Sequence, residues 1–405
     1  MKRMKVVQIN AVYDNGGTGH IVQGIQQCAR AAGIECIAAY SQGTAKDSKA
    51  FHFGGALEQK FHALFSRLFG LQGYFSFWGT HQLLKKLDEV KPDIVHLHNL
   101  HSNNIHLNML LDYLAKHDIV TILTLHDCWL FTGKCCYFTM IQCEKWKKEC
   151  GGCPNLKEGN RSYFADRTKK VLRDKASRFS KIQHLAVVGV SDWITNLARE
   201  SPVLCDAELF RTIHNGINTN IFYPRKTDLK QKLGLQDKFV ALGVAMEMDK
   251  RKGYDDFMEL SKILPSDVCL VLVGLSEKQI KTLPDGIVGM KRIMDKDTLT
   301  EMYSIADAFV NPTHEEAFGL VNAEALACGT PVITYRTGGC TEIVDESCGL
   351  IVECGDVSGM CAAIKKVKNE KPFSSESCTA RAQYFNQMDR YHDYVNLYKE
   401  MAGNQ

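Results

Sequence analysis

Short apolar runs alternate along this chain with longer stretches in which apolar side chains recur every third or fourth position. Runs bounded by turn residues read as buried strands, and the periodic stretches as amphipathic helices. In the first half the runs are Val6–Asn10, Ile34–Tyr40, Ile94–His98, Thr121–Leu125 and Leu185–Val190; in the second half they are Phe239–Ala245, Val268–Gly274, Ala308–Val310 and Val332–Tyr335. Helices are expected over His20–Ala32, after Ser191-Asp192, after a capping box of Thr298 and Glu301, and over a final stretch carrying Phe385, Met388, Tyr391, Val395 and Tyr398. Strands alternating with helices predict parallel sheets of the α/β class.

One stretch has a different texture. Phe61, Leu64, Phe65 and Leu68 keep helical spacing, followed by Phe69, Tyr74, Phe75, Phe77 and Trp78, with Lys60, Arg67, Lys85 and Lys86 interleaved. Such a stripe is usually core. An aromatic and basic segment is also what lies on a membrane surface.

The densest chemistry lies between Asp307 and Glu342. The strand ending at Val310 turns at Asn311-Pro312-Thr313 and gives way to an acidic loop, His314–Gly319. A helix over Leu320–Cys328 follows, stopped by Gly329 and Pro331. In parallel sheets ligands sit at the carboxyl ends of strands, where this loop falls. The amides at the helix start, Phe318, Gly319 and Leu320, suit a phosphate. Glu315, Glu316 and Glu324 would repel one, so they suit hydroxyls, unless they are merely a solvated acidic surface. Two hydroxyl-binding carboxylates flanking a diphosphate describe a sugar nucleotide.

The opening segment, Ala11–Gly19, is a glycine-rich loop after the first strand. It lacks the third glycine of a dinucleotide fingerprint, because Val22 stands there. Gly16 and Gly17 either make a tight turn or let backbone approach a diphosphate. His126 and Asp127 close the Thr121–Leu125 strand, and His96, His98 and His101 surround the previous one; these three are kept as acceptor-side contacts. Lys250-Arg251-Lys252-Gly253 follows a strand end, where cations suit a leaving diphosphate. The basic run in Asp166–Lys181 reads as a solvated helix face.

Composition narrows the class. The 405 residues imply two domains; 45% hydrophobic and 23% charged residues are ordinary for a soluble globular protein, and the net charge of +3 leaves no nucleic-acid footprint. No apolar run approaches the ~18 residues of a membrane span, and the few residues before Asn10 are too short for a signal-peptide core. The 16 cysteines therefore read as reduced cytosolic thiols. Cys135, Cys143, Cys150 and Cys153 form C-x7-C-x6-C-x2-C, with Cys128 and Cys136 nearby. The residues leave open whether these four hold a structural zinc or are free thiols.

The window from Phe318-Gly319-Leu320 through Ala325–Val332 to Gly338-Gly339 and Glu342 resembles glycosyltransferase family 4, retaining enzymes of the GT-B fold. The resemblance covers essentially the whole chain. It implies two Rossmann-like domains facing across a cleft, residues 1–220 binding acceptor and 221–379 binding donor, with a helix from about 380 to 405 returning to the first. It implies transfer of a sugar, with retention, from a UDP- or GDP-sugar to a glycan or polyprenyl-linked acceptor. By the same resemblance Lys252, with Arg251, stabilises the leaving phosphate, Gly16, Gly17 and the Phe318–Leu320 amides hold the diphosphate, and Glu316 binds donor-sugar hydroxyls. Glu324 binds the ribose, His126 orients sugar and acceptor, and Ile287–Ile293 frames the base. Thr212–Asn218 is similar to the family's interdomain segment, with Asn218 where the family has Asp. Glu247 stands where the family's usual arginine would be. A bacterial surface-polysaccharide or lipopolysaccharide role, in the cytoplasm or at the inner face of the membrane, also rests on the resemblance. No Asp-x-Asp metal site is obvious in the sequence, so no metal is expected for the chemistry. The rival classes are a nucleotide-sugar epimerase of the same fold and a non-catalytic sugar-nucleotide scaffold.

Overall fold

The computed structural model describes residues 3–45 and 47–403. The chain divides into two compact units, Met1–His214 with Met388–Gln405, and Asn215–Gln387. The expected divisions at 220 and 380 therefore move. The reason is local: the outgoing and returning connectors run side by side within the second unit, Ile217 N–H bonding Phe385 O at 2.8 Å and Gln387 N–H bonding Ile217 O at 2.9 Å. Asn404 and Gln405, the end of the expected last helix, lie outside the described residues.

The first unit is a parallel sheet of seven strands: β1 (Lys5–Ile9), β2 (Glu35–Tyr40), β3 (Ala50–His52), β4 (Ile94–Leu97), β5 (Val120–Leu125), β6 (Leu185–Gly189) and β7 (Leu209–Thr212). They lie in the order β3-β2-β1-β4-β5-β6-β7. The central strands are fully buried and mostly apolar, as a sheet covered on both faces requires. The edge strands β3 and β7 are short and half-exposed, so they carry no such run.

The last helix, Gln387–Gly403, completes this unit's core. Tyr391, Tyr394, Val395, Leu397, Tyr398 and Met401 pack with Val6, Ile25, Ile94, Ile122 and Val188. Gly24 makes room for it: a Cβ there would lie 2.2 Å from the Tyr391 ring.

The second unit is a parallel sheet of six: β8 (Phe239–Val244), β9 (Val268–Val273), β10 (Ile287–Met290), β11 (Ala308–Asn311), β12 (Val332–Tyr335) and β13 (Gly349–Val352), in the order β10-β9-β8-β11-β12-β13. Its core joins Ala241, Leu270, Leu272, Val310 and Ile333 of the strands to Phe257, Met360 and Ile364 of the covering helices.

Four local expectations change. The first helix begins at Gly16, not His20, so the glycine pair forms its first turn. The helix before β11 is capped by Asp295, whose carboxylate accepts the Thr298 N–H at 2.8 Å; Thr298 is inside the helix. In the basic helix Thr168–Phe179, Lys175 is buried rather than solvated. Finally, the helix Ala56–Phe69 is turned inside out. Its buried residues are His62 and Ser66, while Leu57, Phe61, Leu64, Phe65 and Phe69 are exposed. The polar face is inward because it is satisfied there: His62 Nδ1 meets Ser76 Oγ at 2.6 Å and His62 Nε2 accepts the Gly73 N–H at 3.0 Å.

If the last helix is part of the first unit's core, Leu397→Ala, at a fully buried position, lowers unfolding free energy by about 2–5 kcal/mol. Chemical denaturation checks this; a loss no larger than that of an exposed substitution would mean the helix is an appendage.

Candidate active site

Each sheet reverses its strand order once, between β1 and β4 in the first unit and between β8 and β11 in the second. Loops leaving adjacent strands part in opposite directions at such a point and leave a crevice. The chemistry expected from sequence collects at both.

In the second unit the chain leaves β8 through a single 3-10 turn, Lys250–Lys252, capped by Asp249, whose side chain accepts the Lys252 N–H at 2.9 Å. Gly253 follows with φ +78, and a Cβ there would stand 2.3 Å from Pro312 O. The turn after β8 is thus pressed against the turn after β11. As a result the Lys252 ammonium forms an ion pair with the Glu316 carboxylate, both largely shielded from solvent. Burial would raise the Glu316 carboxyl, but Lys252 beside it, with Arg251 and the Ala317 N–H, holds it below the ordinary range. Arg251 Nη1 donates to Glu315 O at 3.3 Å and Arg251 O accepts the His314 N–H at 2.9 Å, so Arg251 fixes the acidic loop. Glu247 and Lys250 are exposed.

Gly319, at φ +96, opens the helix Leu320–Ala327, while Phe318 is buried against Phe385. Glu324 lies in the second turn of that helix. Its carboxyl is pushed up to about 7 by burial, against the bond it accepts from Tyr303 OH at 3.0 Å. The two site carboxyls therefore differ in state, because Glu316 is ion-paired with Lys252 while Glu324 feels only Lys296 at longer range.

Sequence reading missed His314. Its Nε2 pairs with Asp256 at 2.8 Å, and Tyr335 OH donates to the other Asp256 oxygen at 2.8 Å. The bond to Asp256, with Cys354 beside the other ring nitrogen, raises the imidazole to about 10. His314 is thus a third cation on this loop.

In the first unit, Gly16 (φ +65) and Gly17 stand at the helix start, and a Cβ on either would meet nothing within 4 Å. His126 follows β5 and is linked inward. Its Nε2 meets His98 Nδ1 at 3.1 Å, and His98 Nε2 meets Gln8 Oε1 at 3.1 Å. Gln8 Nε2 donates to Val22 O at 3.1 Å, which leaves Oε1 as acceptor. His98 then donates from Nε2 and accepts at Nδ1, and His126 donates from Nε2. Burial holds His126 down to about 4 and His98 well below its ordinary value, so both rings are neutral near pH 7. His126 is left with an acceptor nitrogen, Nδ1, for a substrate hydroxyl.

His96 and His98 are not the acceptor contacts expected. His96 and His98 are fully buried, and His96 is tied to Tyr398 OH at 2.7 Å and Thr124 Oγ1 at 2.8 Å. His101 Nε2 lies 2.8 Å from Asp127, which also accepts the Trp129 N–H. Gln8, unremarked in the sequence, and Asp127 are the groups that orient the histidines.

Cys135, Cys143, Cys150 and Cys153 all line one small cavity of about 20 Å³. No three of their sulfurs lie within 4.8 Å of one another; in this unit the ligating atoms that do are those of His101, Asp127 and Cys136.

The family described as Glycosyltransferase Family 4 matches residues 15–221, and that described as Glycosyl transferases group 1 matches residues 225–385. A D-inositol 3-phosphate glycosyltransferase of Xylanimonas cellulosilytica is 29% identical over 195 residues, 42% of this chain and 47% of the relative. The chain spans about half the length of such curated relatives. A putative colanic acid biosynthesis glycosyl transferase, WcaC, of Escherichia coli is 23% identical over 415 residues, 98% of this chain and 100% of the relative. Among solved structures, Anabaena Alr3699/HepE in complex with UDP-glucose superposes with a TM-score of 0.65 at 15% identity, over 98% of this chain and 100% of that one; the likeness is one of fold. The chain belongs to glycosyltransferase family 4.

Two glycine substitutions separate support from contact. Gly253→Ala meets both a positive φ and the Pro312 carbonyl, and lowers stability by about 1–3 kcal/mol. Gly17→Ala has open space and stays within about 0.5 kcal/mol of the parent. Thermal unfolding of both checks this; equal losses would mean that Gly17 is a packing residue.

Proposed function

We propose that this chain is a retaining glycosyltransferase that moves a sugar from a UDP- or GDP-sugar to a glycan or polyprenyl-linked acceptor, in bacterial surface-polysaccharide biosynthesis. The observation that carries the reading is the Lys252–Glu316 pair at the second unit's switch point, with Glu324 in the second turn of the helix that follows. Lys252 supplies positive charge where a departing diphosphate accumulates negative charge, and Arg251 braces the loop beside it. Glu316, kept ionised, accepts hydroxyls of the donor sugar. The amides of Phe318, Gly319 and Leu320, and those of Gly16 and Gly17, serve the diphosphate. Glu324 accepts the ribose hydroxyls, and neutral His126 accepts from a sugar hydroxyl and orients the acceptor. The leaving phosphate takes the acceptor proton, and Lys252 is the cation assigned to the charge that develops there. The likeness to a fold solved with UDP-glucose supports a nucleotide-sugar donor, and the full-length likeness to WcaC supports the polysaccharide setting.

Ribose hydroxyls donate, so they favour ionised Glu324. A free-state value near 7 then makes donor affinity rise between pH 6 and 8. The same shift makes the unliganded fold lose stability as pH rises from about 4.5 to 7, because the unfolded carboxyl ionises first. Thermal shifts with UDP-, GDP-, ADP- and CDP-sugars measure both. A donor at about 100 times its Kd adds about 2.7 kcal/mol; Glu324→Gln weakens the shift and flattens its pH dependence. No shift with any donor defeats the assignment.

We propose in addition that the first unit rests on an anionic bilayer at the cytoplasmic face. Phe61, Phe65 and Phe69 stack along the exposed side of Ala56–Phe69, with centroids 6.4 and 6.0 Å apart. Trp78 and Phe164 are each 81% exposed, and exposed Lys60 and Arg67 lie on the same helix. Single exposed apolar residues are ordinary, but a stacked row with cations is an interfacial pattern. No described helix is long and apolar enough to cross a membrane. Sedimentation with phosphatidylglycerol vesicles is expected to carry down the parent and not a Phe61→Ser, Phe65→Ser, Phe69→Ser triple variant. Equal sedimentation of the two would remove the assignment.

A further inference from the structure

The segment between the 3-10 turn Trp129–Phe131 and the helix starting at Thr168 contains one regular element, the 3-10 turn Lys145–Lys147. A loop of that length usually needs an internal tie. It folds back on the strand end that carries His126: Cys128 N–H bonds Cys136 O at 2.9 Å. At its centre Cys135, Cys143, Cys150 and Cys153 face one cavity walled by Phe138, Trp146 and Pro154.

Three features point to a ligand for these sulfurs. First, polar hydrogens are aimed at them: the Gly133 N–H at Cys150, the Asn155 N–H at Cys153, and Asn155 Nδ2 at Cys135 Sγ at 3.7 Å. N–H groups aimed at sulfur are the outer support a metal thiolate uses. Second, Gly133 is pressed against Cys150: a Cβ would stand 2.9 Å from its sulfur. Gly151 (φ +136) and Gly152 (φ +54) give the Cys150–Cys153 turn a backbone only glycine adopts readily. Third, the surroundings are cationic and buried. Lys175 is 1% exposed and Lys134 8%. Lys175 Nζ donates to Trp129 O at 2.5 Å and Thr132 O at 2.9 Å; Lys134 Nζ donates to Asn155 O at 2.6 Å and Glu158 O at 2.9 Å. Among the described residues neither forms an ion pair with a carboxylate. Buried charges are normally paired; the groups that act on these are Cys135, Cys136, Cys150 and Cys153 together with the carboxylates of Asp127 and Asp166, and Lys175 also lies over the Trp129 ring at 3.8 Å.

We infer that Cys135, Cys143, Cys150 and Cys153 bind one structural zinc ion. Four thiols release four protons to solvent and bind Zn²⁺ as a tetrathiolate of charge about −2, which Lys134 and Lys175 offset. Zinc–sulfur bonds of ~2.3 Å place sulfurs ~3.8 Å apart, so the turns around Cys143 and Cys150–Cys153 contract on the ion. The Cys135 and Cys153 side chains already neighbour each other across the loop, and zinc would bridge them. The centre braces the loop behind His126 and does not touch substrate.

The test uses the full chain purified without chelator and incubated with zinc, then gel-filtered. About one zinc per chain is expected by elemental mass spectrometry. Cobalt in its place should give tetrahedral ligand-field bands and a sulfur-to-cobalt band of four-thiolate intensity. Cys143→Ser and Cys150→Ser each bind at least tenfold more weakly, while Cys205→Ser, at an exposed position, is unchanged. Should a variant fail to fold, titration of the parent with a mercurial thiol reagent gives the answer, zinc leaving in step with four thiols. Absence of bound metal overturns the inference. So does a cobalt spectrum of a single thiolate, which would place the ion at His101, Asp127 and Cys136, and so does a Cys135–Cys153 disulfide in a metal-free chain.

Discussion

The second unit's chemistry depends on how closely two turns approach. Lys252 and Glu316 are 64 residues apart in sequence, and neither turn is regular enough to hold a side chain alone. What joins them is the absence of a Cβ at Gly253, which lets the backbone after β8 lie against Pro312. The ion pair follows from that contact and so does the Arg251 anchor on the acidic loop. A partly buried pair of this kind adds little to stability once desolvation is counted. Its consequence is that a lysine ammonium and an ionised carboxylate are held in one place before any ligand arrives.

Electrostatics then divides two similar residues. Glu316 and Glu324 lie on one loop and helix, but Lys252 faces only the first. Glu324 has a tyrosine hydroxyl and low-dielectric surroundings, so its proton is lost about where the cell's pH lies. Neither state is a property of glutamate; each is set by what the opposite element supplies. His314, held cationic by Asp256 and by the sulfur of Cys354, adds positive potential to the same loop.

The architecture and the acidic loop were legible because buried parallel strands leave unbroken apolar runs and because ligand loops follow their carboxyl ends. Edge strands β3, β7 and β13 were not, since a half-exposed strand needs no such run. The stripe from Phe61 to Phe69 was legible as a stripe only. Periodicity says that one face is apolar and is silent on whether protein covers it; here His62 and Ser66 take the inner side because Ser76 and Gly73 satisfy the imidazole. Lys175 was readable in principle. It shares helical spacing with Val171, Leu172 and Phe179, all buried, and the surrounding charges hid that register. The His98–Gln8 link joins residues far apart in sequence, and no local pattern announces it.

That link gives the returning helix a second consequence. Tyr398 fixes His96 from below, and the rings of His96 and His98 lie 4.0 Å apart. His98 in turn directs Nε2 of His126 inward. The layer contains no fixed charge: burial keeps all three rings neutral, each donating on one side and accepting on the other. Such a layer orients a ring through hydrogen bonds alone, and every one of its groups must be satisfied for it to be tolerated in a core. Tyr398 OH and Gln8 Oε1 meet that demand at its two inner ends. The C-terminal helix therefore does more than cover apolar surface: by holding the layer it presents the outer nitrogen of His126 as an acceptor.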